Sequence, residues 1–379
     1  MQQPDGFDVV VIGAGVFGLA SALELARRGK SVAVVDRFGS GHPATSSTGR
    51  SRGIRIAYDH PFYVGLAREA IVRWKALEQV SGRNILHLTG QVDFGGPEKL
   101  GSIAAAVRSA GGTIEELDGA GLRRHLPELD ALPGESGLFH RDAGTVLSDE
   151  GLAVLGEAAV AAGVTIFAPE QVLALETGST ARVVTDRRSL QADTIVVAAG
   201  PWTGGLLKPL GIDLPLAPAV AQVTFLDAPL LVNHPGIGEW GGDGAGGVYG
   251  HPVPGIGYKI AFSTGQEGWS PDVKEWQPEL GEQARLLAWL SRRLPSFPRK
   301  ITRTQRHPWT MTPDGDFIVD RQGPIVLACG CSGHAFKFGP ALGPLVADVV
   351  EGKATVPLLR LGRPSLQSGP AIANAPITR

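Results

Sequence analysis

Apolar and polar positions alternate between two periods along the chain, and that change predicts most of its elements. An apolar stretch from Val9 to Ile12 predicts a strand over residues 8–12, broken at once by Gly13, Gly15 and Gly18. Leu19, Leu23 and Ala26 then recur on one helical face up to about residue 28, with Gly29 placed to end the helix and a second strand expected over 31–36. The chain therefore opens as strand, helix, strand. Phe62, Leu66, Ala70, Trp74 and Leu77 form the apolar stripe of a longer helix over 60–80, in which Trp74 reads as core. Residues 84–147 are mixed and less periodic, and a helix returns over 152–162. Short strands are expected over 164–167, 172–175, 182–185 and 194–198, the last closed by Ala199, Gly200 and Pro201. Residues 216–308 carry strand-like runs, a glycine-rich stretch and a helix over 280–294. Strands over 317–320 and 325–328, a turn over 330–339 and a helix over 340–351 close the fold.

That order predicts an α/β protein in which a doubly wound nucleotide-binding domain (1–83, 148–215 and 317–362) is interrupted by a mainly antiparallel substrate domain (84–147 and 216–316). A flexible tail is expected over 363–379. A length of 379 residues suits two such units. Composition narrows the function. Lys and Arg number 35 against 37 Asp and Glu, so no broad basic face is available for nucleic acid or an anionic membrane, and small molecules are the expected partners. The two cysteines, Cys329 and Cys331, exclude a disulfide framework. The N-terminal stretch has no signal-peptide pattern, and no window holds about 18 uninterrupted apolar residues, so a cytoplasmic protein is expected. The nine histidines show no metal-ligand spacing, and no metal is expected.

Glycine is the deviant component, with 52 copies in 379 residues, roughly twice the usual ~7%. Three of them spell Gly-x-Gly-x-x-Gly between a strand and a helix, with Asp36 and then Arg37 about twenty residues on. Gly13 permits a tight turn, Gly15 lets backbone approach a pyrophosphate, Gly18 allows close helix–strand packing, and Asp36 can accept from ribose hydroxyls. The pattern predicts dinucleotide binding and leaves FAD and NAD both open; the late strand ending at Gly200 favours a long flavin fold. Ten further glycines lie between Gly236 and Gly257, where a mobile loop over the substrate entrance is expected.

Five segments in order along the chain carry a more specific likeness: FDVVVIGAGVFGLASALELARRGKSVAVVD at the start, STGRSRGIRIAY at 47–58, YKIAF around Lys259, WTMTPDGDFIVD at 309–320 and GCSGHAFKFGPALG at 330–343. Together they resemble the monomeric sarcosine oxidase and N-methyltryptophan oxidase family, within the D-amino-acid-oxidase group of FAD enzymes. The resemblance implies an FAD cofactor, an amine substrate, O2 as electron acceptor, and a monomer or small homo-oligomer. It places Gly13, Gly15, Val16, Phe17, Gly18, Asp36, Arg37, Ser47, Ser51, Arg52, Val172, Ala199, Gly200, Trp202, His307, Gly330, Ser332, Gly333, His334 and Lys337 against FAD. It implies catalytic roles for Lys259, Arg52 and His334, with Lys259 offering positive charge where O2 is reduced. Arg55 and Lys337 are implied as the pair that binds a substrate carboxylate, for which arginine's planar fork is suited.

Three positions depart from the family pattern. His307 stands where family members bond FAD through cysteine, so noncovalent FAD is expected, with a histidyl link the lesser alternative. Trp309 replaces a substrate-contacting tyrosine, and Ser263 replaces a pocket histidine. These changes point away from sarcosine itself and toward a bulkier or flatter substituent, on which Trp309 could stack. The expected reaction is oxidation of a C–N bond in a carboxylate-bearing secondary or cyclic amine to an imine, with H2O2 formed. The alternatives are an FAD-dependent dehydrogenase with another acceptor and a flavin-binding protein that has lost catalysis.

Overall fold

The computed structural model describes residues 6–178, 180–241, 247–266, 268–273 and 276–367. Five parallel strands form the centre of one sheet, in the spatial order Thr165–Phe167, Val32–Val35, Gly6–Ile12, Ser189–Val197 and Ile325–Cys329. Antiparallel strands at Val172–Glu176, Ala181–Thr185 and Ile318–Gln322 extend it. Val10, Val11, Val34 and Val35 are fully buried, because helices or loops cover both faces of the parallel strands, as such a sheet requires. The helices Val16–Arg27 and Gly339–Val350 pack together on one face, with Pro61–Ser81 beside the latter. Trp74 is fully buried, stacked on Phe336 with its indole N–H on the Lys337 carbonyl.

The second sheet has eight strands. Its order is Ile301–Met311, Ala217–Leu226, Gly257–Phe262, Val248–Val253, Gly236–Trp240, Gln91–Gly95, Ser136–His140 and Glu115–Leu117. All pairings are antiparallel except that of Gly236–Trp240 with Gln91–Gly95. Strands brought in by two distant stretches of chain thus share one sheet. Val92, Phe94, Ile237 and Ile260 point to one face, where they pack against Leu286, Trp289 and Leu290 of the helix Leu280–Arg293. The opposite face is left for the site. The mixed architecture of a nucleotide-binding sheet with a mainly antiparallel second sheet agrees with the sequence pattern.

Three local expectations are corrected. The helix Pro97–Ser109 lies in the stretch that looked aperiodic, where Leu100, Ile103, Ala104 and Val107 are buried. The glycine-rich stretch after 236 is not one continuous loop: of its ten glycines, Gly236, Gly238, Gly250 and Gly257 lie in three strands, and residues 242–246 of it fall outside those described. Arg363, the expected start of a flexible tail, is buried, pairs with both Asp314 carboxylate oxygens at 2.6 and 2.9 Å, and precedes a short helix at Pro364–Gln367. Residues 368–379 are outside the described set. Among the described residues, no helix is long and apolar enough to cross a membrane.

Candidate active site

A cavity of about 400 Å³ runs from the first glycine turn to the open face of the second sheet, within the usual size of small-molecule sites. At the nucleotide end its walls are set by backbone. Gly13 has φ +105°, and a Cβ there would sit 2.5 Å from the Ala198 carbonyl oxygen; one on Gly18 would sit 1.8 Å from the Gly13 carbonyl oxygen. Glycine is therefore required twice, once for conformation and once for contact. Asp36 closes the turn from the next strand, its carboxylate accepting from the Ala14, Phe38 and Gly39 N–H groups at 2.7, 2.9 and 2.7 Å. With about four lone-pair sites on a carboxylate, acceptor capacity remains for a ligand hydroxyl. Ser47 Oγ accepts from the Val16 N–H at 3.0 Å, capping the helix start.

The floor comes from the second sheet by its two-residue period. His251 pairs with Lys259 and Tyr249 with Ala261, so the four share one face of the sheet, from which Tyr249, His251 and Lys259 line the cavity. Gly238 lies opposite Tyr249 on one side and Asp93 on the other. Ala221 pairs with His307 and Ala219 with Trp309 at the far edge. On the sheet side the cavity is lined by Gly238, Tyr249, His251, Lys259, Ser263 and His307, with Trp240 and Trp309 as aromatic walls. The glycine at 265 is obligatory for one wall, since a Cβ there would be 2.3 Å from Trp309 Nε1.

Cations crowd the cavity. Arg52 is held by backbone carbonyls of Ser46, Thr48 and Ser51, with its guanidinium 5.6 Å from the Phe336 ring centroid. Arg55 lies between Tyr58 and Trp240, 4.7 and 4.8 Å from their ring centroids, and donates to the Ala57 carbonyl at 2.7 Å. Lys337 Nζ donates to Tyr58 Oη at 3.0 Å and to the His334 carbonyl at 2.7 Å. Lys259 Nζ donates to the Ser51 carbonyl at 2.8 Å. Burial, reinforced by neighbouring Arg52, pushes the Lys259 ammonium well below the ordinary lysine range, and burial with Arg55 and Arg52 does the same to Lys337. Burial also holds His251 and His307 well below their usual pKa, again with help from Arg52 and Lys259. The standing positive charge expected at Lys259 is thus opposed by its surroundings, and an anion in the cavity would favour it.

Three residues expected against the cofactor do not line the cavity. Gly18 packs on the Gly13 carbonyl. Ser51 is fully buried, its Oγ 3.2 Å from His251 Nε2. Ser332 turns its Oγ to Thr312, with φ 43°. The other named positions do line it, from Gly13, Gly15, Val16, Phe17, Arg37 and Val172 to Ala199, Gly200, Trp202, Gly330, Gly333, His307, Ser263 and Trp309. His334 lines it too, but its Nε2 is tied to the Gly315 carbonyl at 3.1 Å and its ring packs 4.7 Å from Phe317, an arrangement that fixes the imidazole in place.

The residues missed from sequence are Tyr58, Gln91, Asp93, Trp240, Tyr249 and His251. Asp93 is fully buried, accepting from Gln91 Nε2, Trp240 Nε1 and His140 Nε2 at 2.9, 2.8 and 2.8 Å. Burial alone would raise its pKa, but His140, Arg55 and the Trp240 N–H hold it below the ordinary value. The available signal was a lone acid alternating with Val92 and Phe94 in a strand. Two of its partners, His140 and Trp240, come from elsewhere in the chain, and that pairing could not be read without the fold.

The donor set suits a polar, elongated cofactor. The indole N–H of Trp202 and the hydroxyl of Ser46 line the cavity buried and without a hydrogen-bond partner among the described residues, and buried polar groups are rarely left so. Gly330, at φ +69°, leaves room that a Cβ would close against the Thr312 methyl at 2.6 Å. No group of three or more His, Cys, Asp or Glu arranged to hold a metal occurs among the described residues.

Comparison with known proteins agrees with that chemistry. Residues 8–349 match the family model described as DAO, FAD dependent oxidoreductase. A peroxisomal sarcosine oxidase of Mus musculus is 31% identical over 363 residues, 92% of this chain and 93% of that protein. A monomeric sarcosine oxidase of Streptomyces avermitilis is 30% identical over 362 residues, 90% of this chain and 93% of that protein. Among solved structures, NikD, an unusual amino acid oxidase essential for nikkomycin biosynthesis, superposes with TM-score 0.81 at 26% identity, covering 95% of this chain and 98% of that one.

Proposed function

The chain belongs to the DAO family of FAD-dependent oxidoreductases, and on that premise we propose that it oxidises the C–N bond of a carboxylate-bearing secondary or cyclic amine, passing the electrons to O2 with formation of H2O2. The observation that carries the proposal is the meeting of Arg55 and Lys337 on the two sides of Tyr58, at the end of a cavity that begins at the glycine turn. Sarcosine oxidases of similar length and order support the substrate class.

FAD, when bound, supplies the two-electron acceptor for the reaction. Gly13, Gly15, Val16, Asp36, Arg37 and Ser47 would hold its nucleotide part, and Ala199, Gly200, Trp202, Arg52, Gly330 and Gly333 the rest, without a covalent link through His307. Arg55 and Lys337 fix the substrate carboxylate, and the Tyr58 and Trp240 rings keep the guanidinium plane from turning. The amine must be neutral to release electrons from its lone pair. Burial and the nearby Arg52 charge, which lower Lys259 and His251, disfavour a further cation in the cavity and so favour that form over an ammonium. Gly238, paired with Tyr249, and Ser263 are small lining residues that leave room for a flat substituent on the amine or its α-carbon. Lys259, opposite His251 and close to Arg52, places charge where O2 is reduced once an anion occupies the site.

The test is a panel of N-methyl, cyclic and primary amino acids, assayed for peroxide in air and for bleaching of the yellow protein without it. Peroxide and bleaching with N-methyl or cyclic members are expected. Bleaching by none of them overturns the proposal, and bleaching followed by slow reoxidation in air would make the protein a dehydrogenase. Denaturation should leave the colour in solution; colour retained in the pellet would mean a bond at His307.

A further inference from the structure

We infer that Tyr58 is a positioning residue that keeps one Lys337 N–H aimed into the cavity, so that Lys337 and Arg55 act on the same carboxylate. The inference rests on the carboxylate-binding role proposed above. Its starting point is the Gly315 carbonyl, which can only accept. His334 Nε2, 3.1 Å away, must therefore carry a proton, and in the neutral ring Nδ1 is then an acceptor. Tyr58 Oη lies 3.5 Å from that Nδ1 and 3.0 Å from Lys337 Nζ. With its proton turned to His334, the hydroxyl offers Lys337 only lone pairs.

Lys337 is thereby fixed as a donor. Its ammonium has three N–H groups; one goes to Tyr58 and one to the His334 carbonyl at 2.7 Å, which leaves one for the cavity. The same Tyr58 ring supports Arg55 at 4.7 Å. Tyr58 thus touches both cations. It is fully buried, and burial pushes its hydroxyl up to about 12, so it stays a donor to His334 throughout the working range.

The groups that face Lys337 are Arg52 and Arg55 from the segment beside the cavity, His251 from the sheet floor, and His334 and Tyr58, with Asp93 beyond Arg55. All but Asp93 are cationic or neutral, so Tyr58 and the His334 carbonyl are the acceptors that favour the ammonium. Removing one lowers the pH at which Lys337 loses its charge.

Tyr58→Phe keeps the ring under Arg55 and deletes only the hydroxyl. The holoenzyme is titrated with phenylacetate from pH 6 to 10, with binding read from perturbation of the flavin absorbance, and phenylacetamide serves as the uncharged control. The variant should bind phenylacetate about tenfold more weakly on the alkaline side, with the loss of binding moved about one pH unit lower and phenylacetamide binding unchanged. An unshifted profile, or an equal loss with phenylacetamide, overturns the inference. If Tyr58→Phe does not retain flavin, Lys337→Gln is titrated instead: the alkaline loss of phenylacetate binding must disappear, and its persistence overturns the assignment. Failure of the wild-type holoenzyme to bind phenylacetate at all would count against the carboxylate-binding proposal itself, a separate outcome.

Discussion

At the nucleotide end the cavity is lined largely by backbone, and at the substrate end it is lined by side chains from five strands of the second sheet, together with Arg55 and Lys337. Gly13, Gly15 and Gly18 sit within one short turn and impose their geometry locally, through φ +105° at the first and a 1.8 Å exclusion at the last. The substrate end instead depends on residues such as Asp93, Tyr249, Lys259 and Trp309, which meet only because their strands pair in one register. Local geometry is intolerant of a single methyl group. Distributed geometry tolerates changes of side chain and is where specificity can vary.

The largest expected effect breaks the nucleotide end. Gly18→Ala forces a Cβ into the Gly13 carbonyl oxygen, an atom that cannot move aside as a side-chain tip can. Overpacking of this kind costs about 3 kcal/mol, or roughly a hundredfold in affinity. The variant should purify nearly colourless, measured as flavin absorbance per protein; full flavin occupancy would mean that the turn is less rigid than its contacts require.

Next is Arg55→Lys at the substrate end. The charge is kept, but the planar fork and its support between Tyr58 and Trp240 are lost. A charge-assisted hydrogen bond is worth about 2 kcal/mol, so KM for the best substrate should rise ~30-fold, with kcat within about threefold and flavin content unchanged. An equal fall in flavin content would show that the two ends are not separable.

The two regions also differed in legibility. The opening strand–helix–strand unit, Asp36 and the buried Trp74 could be read because each signal lies within about one element and repeats at a known period. The motif positions of Arg55, Lys259, Lys337 and Trp309 came from family resemblance, and all four do line the cavity. Tyr58 escaped notice although it ends one of the matching segments, because its role lies in contacts to His334 and Lys337 more than 270 positions away. The glycine run after 236 misled for a physical reason. Glycine frequency signals turns in general, yet in this sheet a side chain at Gly238 would strike Asp93 Oδ1 at 2.2 Å, so glycine serves close packing within a strand.

A smaller effect concerns the loop that holds His334. Asp314, paired with buried Arg363, titrates at about 2; burial works to raise it, and the Arg363 and Ser365 hydrogen bonds outweigh that. Its folded pKa is depressed, so the stabilisation is complete above the unfolded value of ~3.9 and fades as pH falls toward 2. About 2 kcal/mol is involved. Arg363→Ala should lower Tm at pH 7 and flatten the loss of stability between pH 5 and 2, relative to wild type, in thermal melts. A parallel pair of curves would mean that the ion pair contributes nothing specific to this loop, which carries the Gly315 carbonyl beneath His334.

The smallest expected effect isolates the substrate wall. Trp309 is buried with its indole N–H facing no acceptor among the described residues, pressed against Gly265 instead. Trp309→Phe removes that unsatisfied donor while giving up part of the ring area. These changes oppose each other, and the net change in stability should stay within about 1 kcal/mol. If the aromatic wall selects flat substituents, KM for an N-methyl amino acid with an aromatic side chain should rise about threefold, while that for sarcosine stays put. Equal shifts for both would place Trp309 in the frame of the site rather than in its selectivity, and the substrate end would then be as uniform in its demands as the glycine turn.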